Sequence, residues 1–266
     1  MKQYTKESLI EALLEIKQRG WIESARAHNN AGAVGNTLED LLGIEENNLP
    51  LPNAAEWELK AQRKNTSSLV TMFHSEPSPR AFKIVPSILL PLYGWEHQQA
   101  GIKYPKGEKS FRQTINATMY SDRGFTVKLD RNEEKVVISF DATKVDNRHS
   151  EWLKSVEKRI GLGELNPQPY WGFHDLYHKA GTKLHNCFLA IADRKRIHGI
   201  EHFKYDEIYI LKRFSLSSFI NSIEAGYIYV DFDARTGHNH GTKFRLKQNH
   251  FKDLYEEVIP IEEYSI

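Results

Sequence analysis

Apolar positions in the first part of the chain recur with a helical rhythm. Leu9, Ile10, Ala12, Leu13, Leu14 and Ile16 fall on one stripe within residues 8–17, with Thr5 or Ser8 placed to cap it and Gly20 to end it. An Asn/Gly-rich loop at 28–36 leads to a second helix that carries Glu39, with Asn36 or Thr37 at its start. Residues 45–53 are polar and broken by proline. From 56 to 61 the period falls to two, as in a strand, and 67–74 (SSLVTMFH) reads as a second, buried strand closed by a turn at 75–79. Residues 84–93 are apolar with two prolines, which suits a short helix or an irregular covering segment, and 94–110 are loop-like.

Strands are expected at 114–120, 124–129 and 135–140, the last two joined by a tight turn at 130–133. Helical spacing runs through 145–160 and is stopped by Asn166-Pro167-Gln168-Pro169. A helix at 173–184, buried strands at 186–193 and 201–210, and an amphipathic helix at 216–225 closed by Gly226 follow. The chain then reads as a strand at 227–233, a Gly/His loop at 234–242, a return strand at 243–246 and a last apolar run at 258–261. This alternation predicts an α/β fold with a mixed central sheet flanked by helices, a single domain over 1–266 whose middle segment folds out as a lobe.

Composition adds little to that picture. Of 266 residues 40% are hydrophobic and 27% charged, as in ordinary globular proteins, and the net charge is only +1. Any basic surface must therefore be local: Arg63-Lys64, residues 103–109, Arg112 and Arg194-Lys195-Arg196 are candidates. The first twenty residues spread their charges and hold no long apolar run, which argues against a signal peptide or a membrane span. The single Cys187 excludes an intrachain disulfide and suits a reducing cytoplasm; its apolar neighbours read as a buried strand and an inert thiol.

The candidate chemistry lies in residues 35–63. Glu58 and Lys60, two apart in a strand, point to one side, with Leu59 directed into the core behind them. Such an E-x-K pair is common on solvated strands. Aimed at one cleft, it suits metal-assisted phosphodiester hydrolysis: the carboxylate holds a divalent cation and the ammonium orients water or offsets developing charge. His238-Asn239-His240 spells HNH, but the nuclease motif of that name is dispersed, and nothing completes a zinc site around two histidines.

Five stretches carry a resemblance: GNTLEDLLGIEENNLP, ELK at 58–60, SSLVTMF at 67–73, EAGYIYVDFDA at 224–234 and HNHGTKFRL at 238–246. With them nearly the whole chain resembles the MvaI/BcnI restriction endonucleases and, more distantly, the mismatch-repair nickase MutH, in the PD-(D/E)XK nuclease superfamily. The resemblance implies a type II enzyme that uses Mg²⁺ to cut both strands of duplex DNA at a short G·C-rich, CCNGG-like site, leaving 5′-phosphates. It further implies a monomer in a prokaryotic cytoplasm, with a cognate DNA methyltransferase as its genetic partner. A DNA-binding cleft is expected between two lobes, the catalytic one centred on about 1–80, with about 186–266 contributing recognition. By position Glu58 would be a metal ligand, Lys60 the catalytic lysine, Glu39 a supporting carboxylate and Leu59 a backbone carbonyl ligand. The family's first acidic residue falls on Asn53, whose amide can ligate Mg²⁺ without bringing charge. Three explanations stay open: a natural variant compensated by Glu39 or Glu56, an inactivating substitution, or a DNA-binding module that does not cut. His238, Arg245 and Asp231 fall on base-reading positions, with Asp233, Arg235, His240, Thr242 and His74 as further DNA-binding candidates. An arginine can bind guanine O6 and N7, and an aspartate can accept from cytosine N4.

Overall fold

Thr5 starts the first helix, α1 (Lys6–Gln18): its hydroxyl accepts the Ser8 backbone N–H, and the Ser8 hydroxyl accepts that of Thr5. Leu9, Ile10 and Leu13 on its buried stripe are almost free of solvent. Burial stabilises each by about 1.5–3 kcal/mol against about 1 kcal/mol for the cap, so packing decides where α1 lies. The computed structural model describes residues 4–26, 32–44 and 57–264. Next come β1 (Ile22–Glu23), α2 (Ala33–Leu42), β2 (Trp57–Arg63) and β3 (Leu69–His74), then a 3₁₀ turn (Arg80–Phe82) and a π-helix (Val85–Tyr93). β4 (Trp95–Glu96), β5 (Lys109–Ile115), β6 (Arg123–Asp130), β7 (Lys135–Val145), α3 (Ser150–Ile160), β8 (Tyr170–Gly172) and α4 (Phe173–Leu184) follow. The chain continues through β9 (Asn186–Ile197), β10 (Ile200–Phe214), α5 (Leu216–Glu224), β11 (Ile228–Arg235), β12 (His238–Asn239), β13 (Lys243–Lys247) and β14 (Tyr255–Pro260).

Two compact units arise. The first comprises residues 1–68, 180–215 and 248–266. Its sheet has the order β1-β10-β9-β2, with β14 also on β10. The β9–β10 hairpin is antiparallel, whereas β2 runs parallel to β9 with Glu58 beside Cys187 and Lys60 beside Leu189. One face carries Leu59, Phe188 and Ala190 into a core with α1 and with Val34, Leu38 and Leu42 of α2. Alternation sends Glu58, Lys60 and Gln62 of β2, and Cys187, Leu189 and Ile191 of β9, to the other face. α2 begins at Ala33, earlier than the expected Asn36 or Thr37. Thr37 lies inside the helix, where its hydroxyl donates to the Ala33 carbonyl and accepts the Ala25 N–H.

The second unit, residues 69–179 and 216–247, holds two further sheets. One has the order β3-β13-β11-β5-β4 with β12 on β11, and the other is β6-β7-β8. All their pairings are antiparallel, so the mixed sheet expected for the whole chain belongs to the first unit alone. Phe111 packs on Phe125 and Phe232, and Phe125 on Phe140, with centroids 5.1–5.6 Å apart. The strand expected at 114–120 lies at Lys109–Ile115 because polar Ser110 and Gln113 occupy buried positions and disguise the alternation. The loop expected at 94–110 therefore contains β4 and the start of β5. The helix expected from 145 begins at Ser150: β7 extends to Val145, and the Asp146 side chain accepts the Arg148 N–H to start a 3₁₀ turn. The π-helix ends at Gly94, where a Cβ would lie 2.2 Å from the Leu90 carbonyl oxygen and no larger residue fits. Among the described residues no helix is long and apolar enough to cross a membrane.

Candidate active site

The alternation of β2 builds the centre of the first unit. Trp57 and Leu59 are locked in the core, which fixes the direction in which Glu58 and Lys60 leave the strand. Glu58 is only 1% exposed, although an open cleft is the sequence expectation, while Lys60 keeps 18% of its side chain exposed. Lys60 Nζ lies 2.6 Å from Glu58 Oε1, and Lys183 Nζ, near the end of α4, lies 3.6 Å from the same oxygen. Neither contact meets hydrogen-bond geometry, and among the described residues neither Glu58 oxygen accepts a hydrogen bond. Burying a carboxylate costs several kcal/mol unless charge offsets it. Two ammonium groups beside Oε1 supply that offset, and Oε2 has no ion-pair partner among the described residues.

Neutral groups wall the carboxylate. Burial pushes the Cys187 thiol well above its ordinary pKa, and the Glu58 charge pushes it further. Burial also raises the Tyr255 hydroxyl, with Cys187 and Glu58 adding to the effect. Both stay protonated at neutral pH, so Cys187 is inert, in line with its apolar sequence context.

A hard divalent cation fits what is present: an oxygen donor, buried and without a hydrogen bond, beside a lysine that keeps part of its side chain in solvent. Among the described residues no three His, Cys, Asp or Glu side chains form a cage. Mg²⁺ does not need one, because it commonly takes one or two carboxylates and fills its remaining positions with water and phosphate oxygens. Asn53 and Glu56 lie outside the described residues. Glu39 sits half-buried on α2, which packs on the Leu59 face, so β2 stands between that helix and the face from which Glu58 rises.

The second unit gathers the remaining candidates. On β11, Ile228, Val230, Phe232 and Ala234 point inward, and Asp231, Asp233 and Arg235 lie together on the opposite face. The register sets Arg112 beside Asp233, Thr114 and Lys243 beside Asp231, and Arg245 beside Tyr229. Arg245 Nη1 lies 3.2 Å from Asp231 Oδ2, while Thr114 donates to Asp231 Oδ1 at 2.9 Å. Asp233 pairs with Arg112 at 2.9 Å and Lys243 at 3.6 Å. Arg235 reaches Glu108 at 3.1 Å and lies over the Tyr104 ring. His238 and His240 are exposed, their rings in edge-to-face contact at 4.1 Å. His74 is exposed at the end of β3, opposite Lys243. Thr242 differs from these, since it is fully buried and gives its N–H to Glu76. Of the basic spots, Arg63, Arg194 and Arg196 converge on buried Glu201 in the first unit, whereas Arg112 belongs to the second.

The sequence profile of the MvaI/BcnI restriction endonuclease family matches residues 10–255. The chain belongs to the MvaI/BcnI restriction endonuclease family. It is accordingly a site-specific deoxyribonuclease. Among solved structures, the restriction endonuclease MvaI in complex with its cognate DNA substrate matches with a TM-score of 0.72 at 23% identity, over 97% of this chain and 100% of that one. MvaI in the absence of DNA matches with a TM-score of 0.56 at 24% identity, over 98% of this chain and 100% of that one. These matches show the PD-(D/E)XK-type fold. No curated protein sequence matches the chain. Lys183 is the neighbour of Glu58 that sequence reasoning missed. Its one signal is a lysine in the last turn of a helix that leads into a buried strand, and many helices end that way.

Proposed function

We propose that this restriction endonuclease uses Mg²⁺ to hydrolyse both strands of duplex DNA at a short G·C-rich, CCNGG-like site. In this reading both units serve one nuclease domain, and the protein works as a monomer in a prokaryotic cytoplasm beside a cognate DNA methyltransferase. The observation that carries the reading is the buried Glu58 carboxylate, neither oxygen of which accepts a hydrogen bond among the described residues, with two ammonium neighbours on one oxygen.

Held by Glu58, with the Leu59 carbonyl and Asn53 as further ligands, Mg²⁺ would polarise the scissile phosphate and lower the pKa of a bound water. Lys60 orients the attacking water and offsets charge that develops on the phosphate oxygens. One carboxylate against two ammonium groups leaves the notch net positive, which favours entry of a phosphodiester. Burial strengthens these interactions because little water screens them. Glu39, on a helix packed against the opposite face of β2, takes no part in the chemistry in this reading.

Recognition is assigned to the polar face of the second unit. Arg245 would bind guanine O6 and N7, and Asp231 would accept from cytosine N4. The two side chains hold each other at 3.2 Å in the free protein, so each reaches a base already oriented. His238, His240, Asp233, Arg235 and His74 supply further groove contacts, whereas Thr242, buried with its N–H on Glu76, is assigned no direct contact.

Purified protein, supercoiled plasmid of known sequence and Mg²⁺ test the reading together. The expected product is linear DNA with ends mapping to one short sequence. Slow nicking that requires a second protein would instead favour a MutH-like nickase. Binding without cleavage, converted to cleavage by Asn53→Asp, would favour a non-cutting module.

A further inference from the structure

We infer that the basic cavity between β3, the 80–86 segment and α4 in the second unit is a docking site for the DNA phosphodiester backbone. The inference rests on the proposed duplex-DNA substrate and goes beyond it by adding contacts outside the base-reading face. The cavity has a volume of about 530 Å³. Arg80, Lys83 and Lys179 line it against one carboxylate, Glu76. Glu76 is itself engaged, accepting the Thr242 N–H at 2.8 Å. Among the described residues none of the three cations has a carboxylate within ion-pair distance, although Arg112, Arg235, Lys243 and Arg245 of the same unit all have one. The cavity thus holds positive charge that the fold does not neutralise.

The backbone is arranged to present that charge. The 3₁₀ turn Arg80–Phe82 closes on Lys83, which adopts left-handed backbone angles (φ +46°) and donates its N–H to the Arg80 carbonyl. A lysine in that conformation is strained, and such strain persists only where the surroundings enforce it. The π-helix follows directly, a rare form that is frequent at functional sites. Asn239, the second residue of β12 and next to the base-reading candidate His238, lines the same cavity. Phosphates flanking the recognised bases are therefore the anions the cavity would meet first.

Phosphate contacts strengthen binding to every sequence alike and steepen its salt dependence, by about 0.9 in log K against log[salt] per contact. The test compares wild type with Arg80→Ala/Lys83→Ala and with Lys179→Ala. Fluorescence anisotropy on cognate and scrambled duplexes between 50 and 200 mM salt, without divalent metal, gives the slopes, and thermal melting checks the fold. The expected result is a tenfold or larger loss of affinity for both duplexes, an unchanged cognate-to-scrambled ratio and a salt slope shallower by about one or two. Folded variants with wild-type affinity and slope, while wild type still binds and cuts, overturn the docking site and leave the nuclease reading intact. A loss confined to the cognate duplex overturns it as well, since it marks base reading. A wild-type protein that binds no duplex overturns both.

Discussion

The two polar surfaces of this chain handle charge in opposite ways. On β2 the acid is buried and two cations serve one carboxylate. On the β11–β13 face the arginines are partly exposed, and Arg112, Arg235 and Arg245 each have an acidic partner, of which Glu108 is buried. A buried charge acts through a low dielectric and is expensive to rearrange, which suits chemistry at a fixed point. An exposed ion pair contributes about 0–1 kcal/mol, so it can be traded for hydrogen bonds to bases at little cost. The difference separates a surface built to stay in place from one built to exchange partners.

Glu58→Gln strikes the first surface hardest. Losing the carboxylate removes the proposed metal ligand and leaves two ammonium groups facing an amide. Cleavage should fall about a thousandfold or more, since Lewis-acid polarisation carries several kcal/mol. Quench-flow cleavage and Mg²⁺ titration check this, and wild-type cutting would place the metal elsewhere.

Arg245→Ala should break the second surface selectively. Cognate affinity is expected to drop by about 1–3 kcal/mol, with a much smaller change on scrambled DNA. Competition binding reads the ratio, and equal losses on both duplexes would mean that Arg245 contacts phosphate. Lys183→Met should sharpen the first surface with a smaller effect, about tenfold in rate. With one like charge removed, half-maximal cleavage should also need less Mg²⁺. A rate loss without that metal shift would make Lys183 merely structural.

The smallest effect is on stability at high pH. Burial raises Cys187, Tyr205 and Tyr255 in the folded state, so the unfolded chain loses these protons first. Stability is therefore full below the ordinary thiol value of 9.0 and falls as pH rises beyond it. Urea midpoints at pH 8 and 10 should differ in that direction, and Cys187→Ala should remove the earliest part of the fall.

Much of the candidate site on β2 is legible in the sequence because it depends on a local rule. Two-residue alternation set Glu58 and Lys60 on one face and Leu59 in the core without any tertiary knowledge. Lys183 was not legible: it reaches Glu58 from 125 positions further along the chain, and only the end of α4 and the parallel pairing of β2 with β9 bring them together. β5 was displaced in the reading because Ser110 and Gln113 are polar residues in buried positions. The recognition candidates came from the family resemblance, and the β11 alternation gathers Asp231, Asp233 and Arg235 on one face while leaving Thr242 beneath it. The unpaired cations around Lys83 left no sequence signal, since an unpartnered lysine reads the same as a paired one.

The most direct measurement is the single-turnover cleavage rate of Lys60→Ala on preassembled cognate duplex, started by adding Mg²⁺. Binding should remain near the wild-type level while the rate falls about a hundred- to a thousandfold, as when a transition-state donor is lost. A variant that binds and cuts at the wild-type rate would remove Lys60, and the charge arrangement built on it, from the chemistry of this enzyme.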